Sequence, residues 1–360
     1  MKPGPSWDRG DGPGVEAEPG GSDETGRGNV KVFLTGGTGL LGSHVAQRLR
    51  SQGTRVVALH RSSSDTRFLA SLGCELREGD LLDPPERTAR AMAGCEAVVH
   101  AAAYIYGGPS LEVVREVNVR GTRNIVRGAR RAGLRRMVYL SSVAVYGDPP
   151  GPMDETTPLD APLRPRDYYG RTKREAEEVV REAHGRGGLS VTILRPPALY
   201  GERDRLFVPR LRSLLRWPLV FVLGTGRTLL AAVYAGNAAQ AVEGALAGRG
   251  EGEAFNITRD VDLTQRDLLE ALAPDRAFGP RFVSVPGGMA RWGARWADRL
   301  GLTIPGAPDL SLTRVVRLST EDNPYPSVKA RRILEWRPPF TLEEALARTR
   351  AWAWREETSG

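Results

Sequence analysis

Lysine is scarce in this sequence of 360 residues. Only Lys2, Lys31, Lys173 and Lys329 are present, and arginine supplies the other 47 of the 51 basic side chains. The net charge of +8 is spread over segments in which arginines are mixed with acidic residues, and no basic run is interleaved with aromatic residues. This pattern argues against a nucleic-acid partner. Because arginine is the default cation here, a lysine in a given place calls for a chemical reason.

Cysteines and long apolar runs are also few. Cys74 and Cys95 match no metal-binding spacing and form no disulfide framework, so we expect reduced thiols, no metal and a cytoplasmic location. No apolar run approaches the roughly 20 residues of a spanning helix, so we expect no stable membrane insertion. The longest, PLVFVL at residues 218–223, is predicted to be a buried strand. The N-terminus lacks the apolar segment typical of a secretory signal.

The composition changes along the chain. Residues 1–28 are rich in glycine, proline and acidic residues, cannot bury a core, and are expected to be disordered. Residues 29–200 alternate short apolar runs with helix-periodic segments, which predicts an α/β Rossmann-like fold with a doubly wound parallel sheet. Residues 201–356 are expected mainly to form a smaller substrate-binding region, with some segments returning to the Rossmann domain.

The alternation locates the individual elements. We predict strands at residues 32–35, 55–59, 97–101, 136–141 and 191–194, and a strand followed by a loop in GCELREGDLLD at residues 73–83. We predict helices at residues 40–52, 84–93, 111–132, 168–184, 236–247, 264–272 and 341–355.

Three glycines lie between the first predicted strand and helix, in VFLTGGTGLLG. Gly36, Gly39 and Gly42 permit a tight turn, close approach of backbone amides to a diphosphate, and close packing of the helix on the strand. The following helix directs its N–H groups and positive dipole end at the phosphates. The pattern predicts a dinucleotide site at the first turn between strand and helix.

The end of the second predicted strand indicates which dinucleotide is preferred. An acidic residue there would bind the adenosine ribose hydroxyls and mark NAD. The sequence has His60, Arg61 and Ser62 instead, and a cation with hydroxyls suits a 2′-phosphate. We expect NADP as the preferred cofactor and NAD as the alternative, while a plain solvated arginine is the competing interpretation of Arg61.

Tyr169 and Lys173 are four residues apart in a predicted helix, so they share one face. A cation about 4 Å from a phenol, at an effective dielectric of 20, favours the phenolate by about 4 kcal/mol, and desolvation opposes this effect. We therefore expect Lys173 to lower the pKa of Tyr169 enough for proton exchange. Tyr325 and Lys329 have the same spacing, but Pro326 makes a shared helix face improbable.

A lysine suits this role better than an arginine, because its ammonium is compact, donates to a ribose hydroxyl and can release a proton. Upstream, RRMVYLSSVAVYGD is a predicted buried strand that ends at Ser141 and Ser142. Either hydroxyl can orient a substrate oxygen at the carboxyl edge of the sheet, or merely cap the following turn.

These segments together resemble the extended short-chain dehydrogenases/reductases, also described as the NAD-dependent epimerase/dehydratase family. The resemblance rests on TGGTGLLG, GDLLD, VVHAAA, NVRGT, LSSVAVYG, YGRTK and RPPALYG, in the family's order between about residues 30 and 355. It implies an oxidoreductase whose catalytic residues are Ser142, Tyr169 and Lys173, with Ser142 preferred over Ser141.

The resemblance also implies further cofactor contacts. Asp80 is expected at the adenine, Pro196 beside the nicotinamide, and Asn118 in the helix that supports the proton relay of the lysine. The complete expected set of cofactor-binding residues is Gly36, Gly39, Leu40, Leu41, Gly42, Arg61, Ser62, Asp80, Leu81, Ala101, Ala102, Asn118 and Pro196. Family members often form homodimers through two long helices, here residues 111–132 and 168–184.

The substrate is less specified by the resemblance. Members that act on nucleotide sugars usually have an asparagine at the position of Ala198 and an Arg-Asp pair at Leu230 and Ala231. The closest pattern is that of the 3β-hydroxysteroid dehydrogenases and dihydroflavonol reductases. Trp292 and Trp296, one helical turn apart, fit either a lid over an apolar ligand or a core stripe, and we favour the core stripe.

The leading hypothesis is hydride transfer between a nicotinamide and a secondary alcohol or ketone of an apolar, ring-containing small molecule. The first alternative is a nucleotide-sugar epimerase or dehydratase with tightly bound NAD. The second is a non-catalytic dinucleotide-binding sensor, against which the presence of both Tyr169 and Lys173 argues.

Overall fold

The computed structural model describes residues 30–149, 151–274, 280–302 and 311–355. The expected disorder of residues 1–28 lies outside the described residues. The strands are β1 (Lys31–Thr35), β2 (Arg55–His60), β3 (Glu75–Glu78), β4 (Ala97–His100), β5 (Arg136–Leu140), β6 (Ser190–Arg195), β7 (Ala198–Tyr200), β8 (Leu219–Leu223), β9 (Ala232–Tyr234), β10 (Ala254–Asn256) and β11 (Arg281–Val285).

Helices connect and flank these strands. They are α1 (Leu40–Ser51), α2 (Arg67–Ser71), α3 (Pro85–Ala91), α4 (Leu111–Arg115), α5 (Gly121–Arg131), α6 (Tyr168–Ala183), α7 (Phe207–Leu215), α8 (Ala235–Leu246), α9 (Gln265–Leu272), α10 (Gly287–Arg299), α11 (Leu312–Thr320), α12 (Val328–Ile333) and α13 (Leu342–Arg355).

A seven-stranded sheet has the order β10-β6-β5-β4-β1-β2-β3, and all its pairings are parallel. The strand order reverses between β1 and β4, and such a switch point opens a ligand crevice at the carboxyl ends of the strands. The predicted Rossmann-like doubly wound fold is therefore confirmed. The loops that follow β1 and β4 border this crevice.

Apolar side chains fill both sides of the sheet, as parallel strands with helices on each face require. On one side, α1 and α8 contribute residues such as Val45, Leu49 and Val242. On the other side, α5 and α6 contribute residues such as Ile125 and Val180. Both faces are thus closed to water, and the polar edge of the sheet is left for ligands.

The predicted helix at residues 111–132 is interrupted. Its two α-helical parts, α4 and α5, are joined by a π-helical turn at Glu116–Arg120, and Asn118 lies within that turn. Turns of this kind often occur at functional sites because they redirect one side chain. Nothing in the apolar periodicity signals the extra residue.

A second, smaller core lies beside the sheet. Val220 and Val222 of β8 pack there with Leu268, Leu269 and residues of α13. The other face of β8 is open, since Leu219 is 50% and Phe221 is 59% exposed. The prediction of a fully buried strand at residues 218–223 is therefore wrong for this face, because β8 lies in a two-stranded sheet with one covered side.

The predicted core stripe of Trp292 and Trp296 is also wrong. Both lie on α10, where Trp292 is 67% and Trp296 is 46% exposed. The side of α10 that packs inward carries Ala294, whose small side chain allows the close approach of α11. Within the described ranges, no helix is long and apolar enough to cross a bilayer.

Candidate active site

The glycine loop after β1 is shaped by contacts that exclude side chains. Gly36 has φ of 72° and lies so close to the β4 loop that an added Cβ would be 2.6 Å from the Ala102 nitrogen. A Cβ on Gly42 would be 2.0 Å from the Gly36 carbonyl oxygen, and one on Gly39 would be 3.3 Å from it. The loop therefore packs against itself and α1 begins directly behind it at Leu40, followed by Leu41. Its geometry fits a dinucleotide diphosphate.

The other residues expected at the cofactor lie along the same edge. Ala101 and Ala102 follow β4 and contact the loop at Gly36. Asp80 follows β3, where its Oδ1 accepts from the Leu82 nitrogen at 2.9 Å. Leu81 fills the space beside Gly121, where a Cβ would be 2.9 Å from the Leu81 side chain.

Arg61 and Ser62 lie just beyond β2, and both are exposed. Within the described part of the chain, the Arg61 guanidinium has no carboxylate partner, whereas the nearby Arg67 is held by Asp65 at 2.7 Å. Arg61 is therefore free to bind an anion at the end of β2, as a 2′-phosphate site requires.

Ser142, Tyr169 and Lys173 meet at the carboxyl end of β5. Tyr169 and Lys173 occupy the buried face of α6, with exposures of 8% and 2%. Ser142 begins a 3-10 turn, where its Oγ accepts from the Ala144 nitrogen at 3.2 Å, and its hydroxyl lies close enough to the phenol of Tyr169 to lower the pKa of that phenol. The capping interpretation is therefore confirmed for Ser142, while its contact with a substrate oxygen stays a prediction.

The expected electrostatic effect of Lys173 on Tyr169 is wrong in this structure. Burial raises the pKa of Tyr169 above its usual value, the neighbouring Tyr106 adds to the rise, and the hydrogen bond with Ser142 opposes it. Burial also lowers the pKa of Lys173 to about 7. A lysine that is partly neutral near pH 7 is a weak source of positive potential, and desolvation of the phenolate outweighs it.

The ammonium of Lys173 instead donates hydrogen bonds to two groups of β5. Its Nζ donates to the Leu140 carbonyl at 2.6 Å and to the Tyr139 hydroxyl at 3.2 Å. Both partners come from β5, the strand that delivers Ser142. The lysine is therefore held at the sheet, with its proton in contact with a buried polar network.

That network continues through a buried histidine. Thr122 lies beside Tyr139, and its Oγ1 is 2.9 Å from Nε2 of His100, while Nδ1 of His100 is 2.6 Å from Oγ1 of Thr35. Burial, with the nearby Lys173 as a second cause, lowers the pKa of His100 to about 3. The imidazole is neutral at physiological pH and can accept on one nitrogen and donate on the other.

Asn118 makes side-chain hydrogen bonds that join two segments close to Lys173. Its Nδ2 donates to the Tyr104 carbonyl at 2.9 Å and to Thr172 Oγ1 at 3.0 Å, and its Oδ1 accepts from the Tyr104 nitrogen at 2.6 Å. The π-helical turn therefore ties the loop after β4 to α6. Its backbone carbonyl accepts from Thr122 at 2.6 Å, which links it to the network behind Lys173.

Sequence reasoning missed a buried ion pair under the same helix. Glu177, one turn beyond Lys173, accepts from Arg195 Nε at 2.9 Å and from its Nη2 at 2.7 Å. Arg195 also donates to the Tyr146 hydroxyl at 2.7 Å, and both charged residues are almost fully buried. Arg195 ends β6 and Pro196 follows, accepting from the Val143 nitrogen at 3.1 Å. The arginine of RPPALYG is the sequence signal that could have revealed this ion pair, because a charged residue at the end of a buried strand requires a partner of opposite charge.

A cleft opens beside Tyr169. The rings of Tyr106 and Tyr169 pack at a tilt of 55°, with centroids 5.3 Å apart. The lining residues are Tyr106, Ala144, Gly147, Asp148, Pro162, Leu163, Arg164, Asp167, Ser311 and Arg314. Both lining arginines are already paired, Arg164 with Asp298 at 2.8 Å and Arg314 with Asp167 at 3.4 Å. No group of acidic, histidine and cysteine side chains among the described residues is arranged to hold a metal ion.

A parallel sheet with a glycine loop at its switch point, and a serine, tyrosine and lysine beside that loop, defines a dinucleotide-dependent oxidoreductase. The model of the NAD dependent epimerase/dehydratase family matches residues 32–258. The chain therefore belongs to this family, the extended short-chain dehydrogenases/reductases, and it is an enzyme.

Individual relatives differ in what they act on. The chain is 30% identical over 320 residues, which are 88% of this chain and 95% of the relative, to a 4-hydroxy-2-methyl-3-oxo-4-farnesyl-3,4-dihydroquinoline-1-oxide ketoreductase of Stigmatella aurantiaca. It is 31% identical to a 3 beta-hydroxysteroid dehydrogenase/Delta 5-->4-isomerase of Mycobacterium tuberculosis, covering 88% of each chain. A dTDP-glucose 4,6-dehydratase from Streptomyces venezuelae, solved with NAD bound, is similar in structure, with a TM-score of 0.67, 26% identity and coverage of 92% and 98%.

Proposed function

We propose that the enzyme reduces a ketone, or oxidises the corresponding secondary alcohol, on an apolar ring-containing substrate. The observation that carries this proposal is the meeting of Ser142, Tyr169 and Lys173 at the sheet edge that also bears the glycine loop. A bound nicotinamide dinucleotide supplies or accepts the hydride at the substrate carbon. Gly36, Gly39 and Gly42 hold its diphosphate, and Ala101, Ala102 and Pro196 lie where the cofactor would extend along the edge.

The protein's own groups handle the substrate oxygen. In the direction of reduction, Ser142 donates a hydrogen bond to the carbonyl oxygen, and Tyr169 transfers its proton to that oxygen as the carbon gains the hydride. The high pKa of Tyr169 suits an acid that keeps its proton until charge develops on the oxygen. Lys173, whose pKa is near 7, then gives a proton to the Tyr169 phenolate. The lysine recovers a proton through the buried polar groups that begin at the Tyr139 hydroxyl.

The charges of the cleft support an apolar substrate. A nucleotide sugar carries a diphosphate that needs cations without other partners. The two arginines of the cleft are each bound to an aspartate, and the positions of an Arg-Asp pair in nucleotide-sugar enzymes hold Leu230 and the buried Ala231. The ketoreductase and hydroxysteroid dehydrogenase among the relatives act on apolar ring systems, in agreement with this chemistry.

We further propose NADP as the preferred cofactor. Arg61 and Ser62 follow β2 where the adenosine ribose of a bound dinucleotide lies, and the arginine has no carboxylate partner within the described residues. A guanidinium binds a phosphate dianion by charge-assisted hydrogen bonds. The similar structure with bound NAD supports the dinucleotide site. The proposed preference for NADP rests on Arg61.

The test measures cofactor and substrate separately. The purified protein is titrated with NADPH and NADH, and turnover is assayed on a panel of steroid-like and flavonoid-like ketones. Arg61→Ala should weaken NADPH binding at least tenfold and leave NADH binding unchanged, since it removes one charged contact to phosphate. Arg67→Ala, next to the same site but paired with Asp65, is the matched control and should change neither.

Tyr169→Phe should retain cofactor binding and lose turnover, whereas Tyr168→Phe, one position earlier on α6, should retain both. Equal turnover in the two variants would refute the proposed role of Tyr169. NAD that copurifies and resists dialysis, together with conversion of a nucleotide sugar, would favour the epimerase or dehydratase suggested by the similar dehydratase structure. Cofactor binding without turnover on any substrate would favour the sensor.

A further inference from the structure

Helix α10 presents an unusual face to solvent. Met289, Trp292, Trp296 and Leu300 recur at spacings of three and four residues, so they share one side of the helix. Their exposures are 66%, 67%, 46% and 72%. The two indole rings pack edge to face with centroids 6.2 Å apart. We call these four residues the α10 stripe, and its size is atypical of a helix surface that faces only water.

The charges that flank the α10 stripe are of one sign. Arg291, Arg295 and Arg299 recur every four residues beside it, and the guanidinium of Arg299 lies 5.4 Å from the centre of the Trp296 ring. In the described ranges none of these arginines pairs with a carboxylate. The acidic residue of the helix, Asp298, is turned inward.

Asp298 connects α10 to the cleft beside Tyr169. Its carboxylate accepts from Arg164 at 2.8 Å and from the backbone nitrogens of Leu312 and Thr313 at 3.0 and 3.1 Å. Arg164 lines the cleft, and so does Arg314 on the first turn of α11. The outward face of α10 thus belongs to a helix pair that borders this cleft.

We infer that the α10 stripe docks the enzyme onto the surface of an anionic lipid bilayer. The helix has 13 residues and is about 20 Å long, too short to span a hydrocarbon core of about 30 Å. Tryptophan and methionine on one side and arginine beside them are the composition of a helix that lies in the interface between headgroups and acyl chains. The absence of outward-facing carboxylates on α10 makes its surface complementary to negatively charged headgroups.

A second copy of this chain is a poorer occupant of the same surface. Two copies meeting through the α10 stripe around a two-fold axis would bring the two sets of three arginines together without compensating acids. A bilayer of anionic lipids offers acyl chains to the apolar α10 stripe and negatively charged headgroups to the flanking arginines. If the proposed function holds, docking also brings the enzyme to the phase into which an apolar substrate partitions; this second step rests on the proposed function, and the docking itself does not.

The experiment uses the full chain and measures partition onto unilamellar vesicles by sedimentation, without substrate. One set of vesicles contains phosphatidylcholine alone, and the other contains phosphatidylglycerol as well. We expect binding to the second set that falls at high salt. Replacing both Trp292 and Trp296 by serine should lower the partition coefficient at least tenfold, and Val328→Ser, an equally exposed apolar residue on α12, should not change it.

The arginines are tested with a control of equal charge. Changing Arg291, Arg295 and Arg299 to glutamine should reduce binding to anionic vesicles by about fivefold for each charge. The same change at Arg123, Arg127 and Arg130 of α5 removes the same net charge and should have a much smaller effect. Tyr169→Phe should bind vesicles normally, so loss of catalysis and loss of docking are separate results.

Three results would overturn the inference. They are no binding to anionic vesicles, binding that the two tryptophan substitutions leave unchanged, and a dimer by light scattering that these substitutions dissociate. The last result would assign the stripe to a second copy of the chain. Turnover of a water-soluble ketone by the tryptophan variant should equal that of the natural sequence, because neither indole lines the cleft.

Discussion

At the residue scale, Lys173 shows how burial changes the role of a side chain. The sequence predicted that Lys173 shares one helix face with Tyr169, and both lie on the buried face of α6, while the chemical role of the lysine stays a prediction. The sequence could not show that its ammonium would be held by Leu140 and Tyr139 on a neighbouring strand. Burial therefore lowers its own pKa, and the assumed positive potential at Tyr169 is largely lost.

This burial predicts a specific pH dependence of stability. The unfolded lysine keeps its proton up to a pKa near 10.5, while the folded one loses it above about 7. Between these values the unfolded state binds more protons, so the Lys173 contribution to the unfolding free energy rises with pH, at up to about 1.4 kcal/mol per pH unit. Urea denaturation from pH 6 to 9 should show this slope in the natural sequence relative to Lys173→Met. Parallel curves for the two proteins would contradict it.

Replacing Lys173 by arginine tests the need for a releasable proton. The guanidinium is larger than the slot between Leu140 and Tyr139 and does not deprotonate in proteins. We expect turnover to fall at least a hundredfold with NADP(H) affinity changed less than tenfold. Lys329→Arg, which replaces a half-buried lysine paired with Glu253, should leave turnover intact. A Lys173→Arg enzyme with normal turnover would show that the lysine only supplies charge.

At the scale of elements, regular periodicity was informative and local irregularity was not. The glycine loop, α1, α6 and the strands β1, β2, β4, β5 and β6 follow apolar patterns of fixed period, and the structure places these elements within one or two residues of the predicted bounds. The elements that escaped prediction are the π-helical turn at Glu116–Arg120, the helices α2, α7, α11 and α12, and the strands β7, β9, β10 and β11. The first needs a single extra residue per turn, and the others depend on packing between segments far apart in sequence.

Gly42→Ala tests the packing of the phosphate loop as an element. The new Cβ would lie 2.0 Å from the Gly36 carbonyl oxygen, so the loop must open and its amides must turn away from the diphosphate. We expect cofactor affinity to fall at least a hundredfold by fluorescence titration. Gly293→Ala on α10, where no atom lies within 4 Å of the added Cβ, is the control and should raise the melting temperature slightly. Tight cofactor binding by Gly42→Ala would exclude this loop as the phosphate site.

At the scale of the whole molecule, the α/β class followed from the sequence, while the bounds of the two regions stay a prediction. The seventh strand of the sheet, β10, comes from the C-terminal part of the chain, and α8 from the same part covers α1. The predicted homodimer through residues 111–132 and 168–184 stays a prediction. Arg123 and Arg127 lie exposed along the outer side of the first of these segments, so a symmetric pairing through them would oppose like charges, whereas Arg120 is paired with Glu116.

A truncated chain tests how far the two parts depend on each other. A protein that ends at residue 200 lacks β10 and α8, which leaves β6 without an edge partner and one side of α1 exposed. We expect this fragment to aggregate and to bind hydrophobic dyes, since a bare apolar strand edge recruits other chains. A chain ending at residue 274 keeps both elements and should give more monomer. A soluble, cooperatively melting fragment of residues 1–200 would show that the sheet closes without β10.

The late position of β10 has a consequence for synthesis on the ribosome. β6 ends at Arg195 and β10 begins at Ala254, so roughly 60 residues must be translated before the sheet can be completed. At 5–20 residues per second this takes roughly 3 to 12 seconds. During that interval β6 is an unpaired edge strand of the nascent apolar sheet. Chaperones and neighbouring nascent chains can bind this exposed edge. Slowing translation after codon 200 should lengthen this period and reduce the yield of native enzyme.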